Sequence, residues 1–90
     1  KALKAFELGA KTGDLNAMTA LGIMYITGVG VIQNDTKGFK YVQNAANKSH
    51  PKAQYTLGAI YYLGAGVNID FNKAFSWISL SADQGYSGET

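Results

Sequence analysis

The sequence predicts an all-α fold, an α/α superhelix of antiparallel helix pairs with about five helices, and three observations point to it. The stretch from Ala17 to Val31, AMTALGIMYITGVGV, returns as AQYTLGAIYYLGAGV from Ala53 to Val67. The offset of 36 residues lies in the period range of stacked helical repeats, and it aligns ten identical pairs: Ala17/Ala53, Leu21/Leu57, Gly22/Gly58, Tyr25/Tyr61, Gly28/Gly64, Gly30/Gly66, Val31/Val67, Lys37/Lys73, Phe39/Phe75 and Ala46/Ala82. Both copies follow the helical period, and no alternating apolar and polar stretch lies between the turns.

The elements follow in order. Residues 1–11, KALKAFELGAK, place Leu3, Phe6 and Ala10 at helical spacing among good helix formers, so they read as a helix. Shifted by 36, this segment falls on residues 37–48 and 73–84, which makes 1–13 the second helix of an incomplete repeat. Gly13 supplies the positive φ of a helix stop, and Asp14 is placed to cap the next helix. A first full repeat occupies 14–49. Its first helix runs from Leu15 to about Thr27 with a stripe of Ala17, Ala20/Leu21, Met24/Tyr25 and Gly28. Gly22 in mid-helix costs roughly 0.5 to 1 kcal/mol relative to alanine, and its return as Gly58 points to close approach of a neighbouring helix. The Gly28-Val29-Gly30-Val31 turn leads to Asn34 or Asp35 as cap and to a second helix from about Thr36 to Lys48.

A second full repeat occupies 50–85, with Pro51 suited to the first turn of a helix. The stripe returns as Ala53, Thr56/Leu57, Ile60/Tyr61 and Gly64, Asp70 is the expected cap, and the last helix spans about 71–84 with Phe75, Trp77, Ile78 and Ala82 available for packing. Residues 86–90 are a tail or the start of a further repeat. Helices of this length are marginal alone in water, so their order must come from stacking.

Composition bounds the rest. Ninety residues with 47% apolar and 16% charged side chains form one domain at most, and no apolar run reaches the roughly 18 residues of a membrane span. Neither membrane insertion nor nucleic-acid binding is expected, because eight basic and six acidic residues are spread along the chain without a cluster to neutralise a row of phosphates. The absence of cysteine excludes a disulfide framework and a thiolate metal site. The chain starts at Lys1 without a methionine, as an excised piece of a longer protein would.

The string Leu57-Gly58-x-x-Tyr61-x-x-Gly64-x-Gly66-Val67-x-x-Asp70-x-x-Lys73-Ala74-x-x-Trp77, completed by Ser81-Ala82-x-x-Gly85, resembles the Sel-1-like repeat family, relatives of tetratricopeptide repeats. The earlier copy is a less close match, Ala17-x-x-x-Leu21-Gly22-x-x-Tyr25-x-x-Gly28-x-Gly30-Val31 followed by Asn34, Lys37, Phe39, Tyr41 and Ala45-Ala46, with Asn34 where the family usually has Asp and Gly38 where it has Ala. Glu89 stands where a further repeat would open with Ala, which reads as the end of the array or as a cut within it. The resemblance covers essentially the whole chain. It implies a right-handed superhelix acting as an adaptor or assembly platform, often in bacterial host-interaction and envelope processes or in endoplasmic reticulum quality control.

Catalytic chemistry has little support in the residues. The Gly-x-Gly turns lack the following Gly-Lys-Ser/Thr and the preceding strand of a phosphate loop. His50, the one histidine, has no acidic or cysteine partner at metal-ligand spacing. Caps account for Asp14, Asp35 and Asp70, and Ser76, Ser79 and Ser81 have no recurring base beside them. No catalytic residue, metal site or cofactor is expected, and the chain reads as a non-catalytic protein–protein interaction scaffold. The alternative is a fragment of a larger enzyme or envelope-associated protein whose active part lies outside this segment.

The expected partner is another protein or peptide, held on the concave face. That face is what remains on the first helix of each repeat once the packing stripe is removed, and the expected contact residues are Thr19, Ile23, Ile26, Lys52, Tyr55, Tyr62 and Leu63. Apolar and aromatic residues with few charges fit an interface. Self-association through apolar repeat ends, or capping of those ends by neighbouring parts of a longer protein, is a further expectation, since the leading helix lacks its partner and Phe75 and Ile78 have no following repeat in this segment.

Overall fold

Five α-helices and no strand are present in the computed structural model, which describes residues 2–86. They are α1 (Ala2–Lys11), α2 (Leu15–Thr27), α3 (Asp35–Asn47), α4 (Pro51–Leu63) and α5 (Phe71–Asp83). The reading of Glu89 and of the tail from residue 87 onward lies outside the described residues.

The helix boundaries have local chemical causes. Asp14 accepts hydrogen bonds from the amides of Asn16 and Ala17, Asn34 from that of Lys37, and Asp70 from that of Lys73 at 3.0 Å, so three helices begin on a side-chain cap. Of the two candidates before α3, Asn34 is the cap, whereas Asp35 is the first helical residue, where its charge meets the positive end of the helix dipole. His50 caps α4 with backbone geometry alone, and Pro51 follows in the first turn. At the other end, Gly28 and Gly64 adopt φ of 73° and 74°, and their amides return to the carbonyls of Met24 and Ile60. A side chain at either position would be strained in this left-handed conformation. The two turns then close identically, with the Asn34 amide bonded to the Tyr25 carbonyl at 2.8 Å and the Asp70 amide to that of Tyr61 at 3.0 Å.

Packing within a pair depends on the mid-helix glycines. A Cβ placed on Gly22 would sit 2.9 Å from the Gly38 carbonyl oxygen, and one on Gly58 would sit 2.8 Å from that of Ala74, so α2 meets α3 and α4 meets α5 nearly backbone to backbone. Gly38 faces Gly22 in turn, with its own Cβ position 2.6 Å from the Gly22 carbonyl oxygen. The substitution of glycine for the usual alanine at this position thus brings the first pair into a glycine–glycine contact.

Between pairs, α4 closes the core. Met18, Val42, Ala45 and Ala46 share one buried cluster with Ala53, Leu57, Ile60, Tyr61 and Ala74, and Phe39 meets the Tyr61 ring edge-on at 5.8 Å. Two buried polar side chains on α4 and beside it, Gln54 and Ser81, are satisfied. The buried Gln54 donates to the Ala46 carbonyl and accepts from Gln84 Nε2 at 2.6 Å, while the buried Ser81 hydroxyl donates to the Pro51 carbonyl at 2.8 Å. Helices α2 and α4 also pack on one another, whereas no such backbone packing joins α1 to α3 or α3 to α5. The array therefore curves toward the α2/α4 side.

Candidate partner-binding groove

An open apolar groove in two adjoining parts runs from the inner side of this curve onto the α4/α5 end of the array. Ile23, Ile26 and Thr27 of α2 form one wall of the first part, and Thr56, Ala59 and Leu63 of α4 form the other. The second part lies beyond α4, where Tyr55, Ala59, Tyr62 and Leu63 meet Phe75 and Ile78 of α5. Ala59 and Leu63 belong to both. No charged side chain lines either part.

The seven residues expected at a partner contact are not equivalent in the fold. Leu63 is 71% exposed, Tyr62 53% and Tyr55 37%, and all three line the groove. Ile23 and Ile26 are half-buried and form its floor toward α2. Lys52 is half-buried in the first turn of α4 and lines neither part. Thr19 has to be removed from the accessible set: it is fully buried, and its hydroxyl bonds the Leu15 carbonyl at 2.8 Å. The reason is that α2 touches α1, α3 and α4 on separate sides, so almost its entire circumference is covered at that level.

The exposed tyrosines are held by aromatic neighbours. Tyr55 lies 5.7 Å from Tyr86, and Tyr62 lies 5.3 Å from Phe71, both tilted, so each ring is braced on one edge and open on the other. Tyr25 and Tyr61 play a different part. Tyr61 is buried with Lys73 Nζ 5.3 Å from its ring centre, and Tyr25 stacks on Tyr41 with Lys37 Nζ 4.7 Å from its ring centre, so the same lysine–tyrosine pair braces both repeats. A hydrogen bond to Tyr25 holds the Lys37 ammonium above the usual lysine range.

Charge gathers on the opposite side. Lys4 and Lys11 of α1 and Lys37 and Lys40 of α3 surround Tyr41 on the outer surface, with Glu7 the one acid among them. His50 lies at the seam, where burial, reinforced by Lys52, lowers its pKa and leaves Nε2 without a hydrogen-bond partner. Among the described residues no three His, Cys, Asp or Glu side chains come close enough to hold a metal ion, and no helix is long and apolar enough to cross a membrane.

The Sel1 repeat family model matches residues 15–50 and again 51–86, the same two units that carry the duplicated caps, turns and glycine contacts. The chain belongs to the Sel1 repeat family. Among solved structures it is similar to a protective antigen of uropathogenic Escherichia coli that displays an SLR fold, at 36% identity and a TM-score of 0.85, over 90% of this chain and 17% of that one. It is similar also to a Sel1 repeat protein from Oxalobacter formigenes, at 36% identity and a TM-score of 0.81, over 93% of this chain and 63% of that one. The chain thus spans less than two thirds of either protein. Among curated proteins, none matches it significantly. Sel1 repeats are generally protein–protein interaction modules.

Sequence reasoning missed Phe75, Ile78 and Thr56 as groove residues. The signal for the first two was present in the 36-residue offset, which pairs Phe75 with Phe39 and Ile78 with Val42, residues that pack at the inter-repeat seam.

Proposed function

We propose that this Sel1 repeat chain is a non-catalytic scaffold module that binds a segment of another protein along its inner, concave side. Ile23 and Ile26 supply the floor, Leu63 the shared wall, and Tyr55 and Tyr62 the anchors, with Lys52 flanking the entrance. The observation that carries this reading is the uncharged groove itself, with two braced, outward-facing tyrosines on a surface where solvent alone favours neither. Tyrosine suits an anchor because it presents a large, stiff contact area with a polar tip.

Truncating a true anchor removes about 2 kcal/mol or more of binding energy, which is roughly a 30-fold loss of affinity. Tyr55→Ala and Tyr62→Ala are therefore expected to lose recovered partner from a cell extract while melting within about 5 °C of wild type, since neither ring lies in the core. Variants that keep every partner, or that unfold, contradict the groove assignment.

A further inference from the structure

Charges that the sequence disperses are gathered by the fold on the outer side, around two clefts that share Tyr41 as a wall. One, of about 420 Å³, runs along α1 past Lys4, Leu8 and Lys11; the other, of about 230 Å³, lies on α3 beside Lys37, Lys40 and Asn44. Half of the chain's eight basic side chains therefore border one surface, and among the described residues Glu7 is the one acid lining either cleft. The repeat does not require this charge. The 36-residue offset takes Lys4 to Lys40 and then to Ser76, and Lys11 to Asn47 and then to Asp83, so α5 folds in the same way without it. Packing does not close the surface either. Helix α3 is held by α2 and by α4, yet its Lys40, Asn44 and Asn47, the counterparts of Lys4, Leu8 and Lys11, are all exposed.

We propose that this outer surface binds an extended acidic segment of another protein, its carboxylates on the lysines of α1 and α3 and an apolar side chain between them on Leu8 and Tyr41. Charge complementarity selects an anionic ligand and steers its approach. The centre of the surface is apolar and stiff: Leu8 is 65% exposed, and the Tyr41 ring is stacked on Tyr25 at 6.0 Å. In an extended chain alternate side chains share a face, so the fitting pattern is an acid, an apolar residue two positions on and a second acid two further. A peptide suits the polar groups as well. The Glu7 carboxylate can accept from a backbone N–H and the Asn44 amide can bond a peptide group, whereas Glu7 repels the unbroken row of phosphates of a nucleic acid or a lipid surface. The site is independent of the inner groove, which lies on the opposite side and is uncharged, so the two ligands differ in chemistry and can be held together.

The probe is a fluorescein-labelled peptide, Gly-Asp-Glu-Ser-Leu-Ser-Glu-Asp-Gly, titrated with the 90-residue protein at low ionic strength and followed by anisotropy. Saturable binding is expected, weakened severalfold by added salt because the charges are exposed. Lys4→Gln/Lys40→Gln removes two ion pairs and should cost about fivefold or more in affinity. Both side chains are exposed, so the helical circular dichroism should not change. Lys48→Glu alters the net charge by the same amount at an exposed position lining neither cleft, and it should bind the peptide as wild type does. A peptide with glutamine and asparagine in place of its acids should not bind, and one with serine in place of its leucine should bind more weakly. Absence of binding overturns the proposal. So does an equal loss with Lys48→Glu and with Lys4→Gln/Lys40→Gln, for the attraction would then belong to net charge and not to this surface. A single-stranded oligonucleotide or phosphatidylserine vesicles held more tightly than the peptide, and released by Lys4→Gln/Lys40→Gln, would assign the surface to phosphate and refute the acidic-segment reading.

Discussion

Gly58→Leu is expected to destabilise the protein by roughly 1 to 3 kcal/mol, the usual cost of overpacking a filled core. The cause is geometric. The Cβ position of Gly58 lies 2.5 Å from the Ile78 side chain and 2.8 Å from the Ala74 carbonyl oxygen, and the backbone of α5 cannot retreat without breaking the Ser81–Pro51 and Gln84–Gln54 hydrogen bonds that tie it to α4. Gly58→Ala adds about 1 kcal/mol of helix propensity in an isolated helix, yet the same contact applies to its single methyl, so no stabilisation is expected. Gly22→Leu should behave alike, because its Cβ position lies 2.9 Å from the Gly38 carbonyl oxygen. Urea denaturation followed by circular dichroism measures both. A neutral outcome for either leucine variant would refute the close approach of paired helices.

Leu57→Ala is expected to cost about 2 to 5 kcal/mol, the range for removing a buried leucine. Leu57 is fully buried, and it shares its cluster with Met18 of α2, Val42 and Ala45 of α3 and Ala74 of α5, so the cavity would open where both repeats meet. Against the stability of a small domain, typically about 5 kcal/mol or somewhat more, that loss approaches unfolding at room temperature. Because the cluster spans both repeats, the remaining structure should melt as one unit. Trp77, the one tryptophan, packs against this cluster from α5 and reports on the second repeat by fluorescence, while circular dichroism reports on all the helices. Coincident transitions shifted to lower denaturant are expected. A fluorescence transition that moves while the helix signal keeps its midpoint would show that the repeats unfold independently.

Much of this architecture was legible because it depends on local chemistry that repeats. Asp14 and Asp70 as caps, Pro51 in a first turn and Gly22 and Gly58 as contact glycines each follow from one residue's own conformational or hydrogen-bonding preference. The choice between Asn34 and Asp35 was not legible, since both side chains can accept an amide hydrogen bond and they differ by one position. Thr19 was misplaced for a different reason. A single packing stripe describes a helix with one buried side, but α2 buries the consecutive residues Ala17, Met18 and Thr19 because it has three neighbours, and the sequence of such a helix is apolar nearly all round. The seam formed by Gln54, Ser81 and Gln84 left no periodic trace either, for hydrogen bonds across 30 residues have no sequence signature. The groove was half legible. Tyr55, Tyr62 and Leu63 stood out by lying off the stripe, whereas Phe75 and Ile78 joined them only through the spacing of α4 and α5.

The central claim, that this chain works by holding a partner on its inner side, is tested most directly by methyl NMR of the complex with a partner recovered from extract. Ile23, Ile26 and Leu63 carry methyl groups in the groove, and Leu8 and Ile32, exposed at 65% and 91%, carry them outside it. The account predicts that the signals of Ile23, Ile26 and Leu63 shift or broaden on titration while those of Leu8 and Ile32 stay in place. Perturbation concentrated at Leu8, next to the lysines of the outer surface, with the groove methyls unchanged, would contradict it.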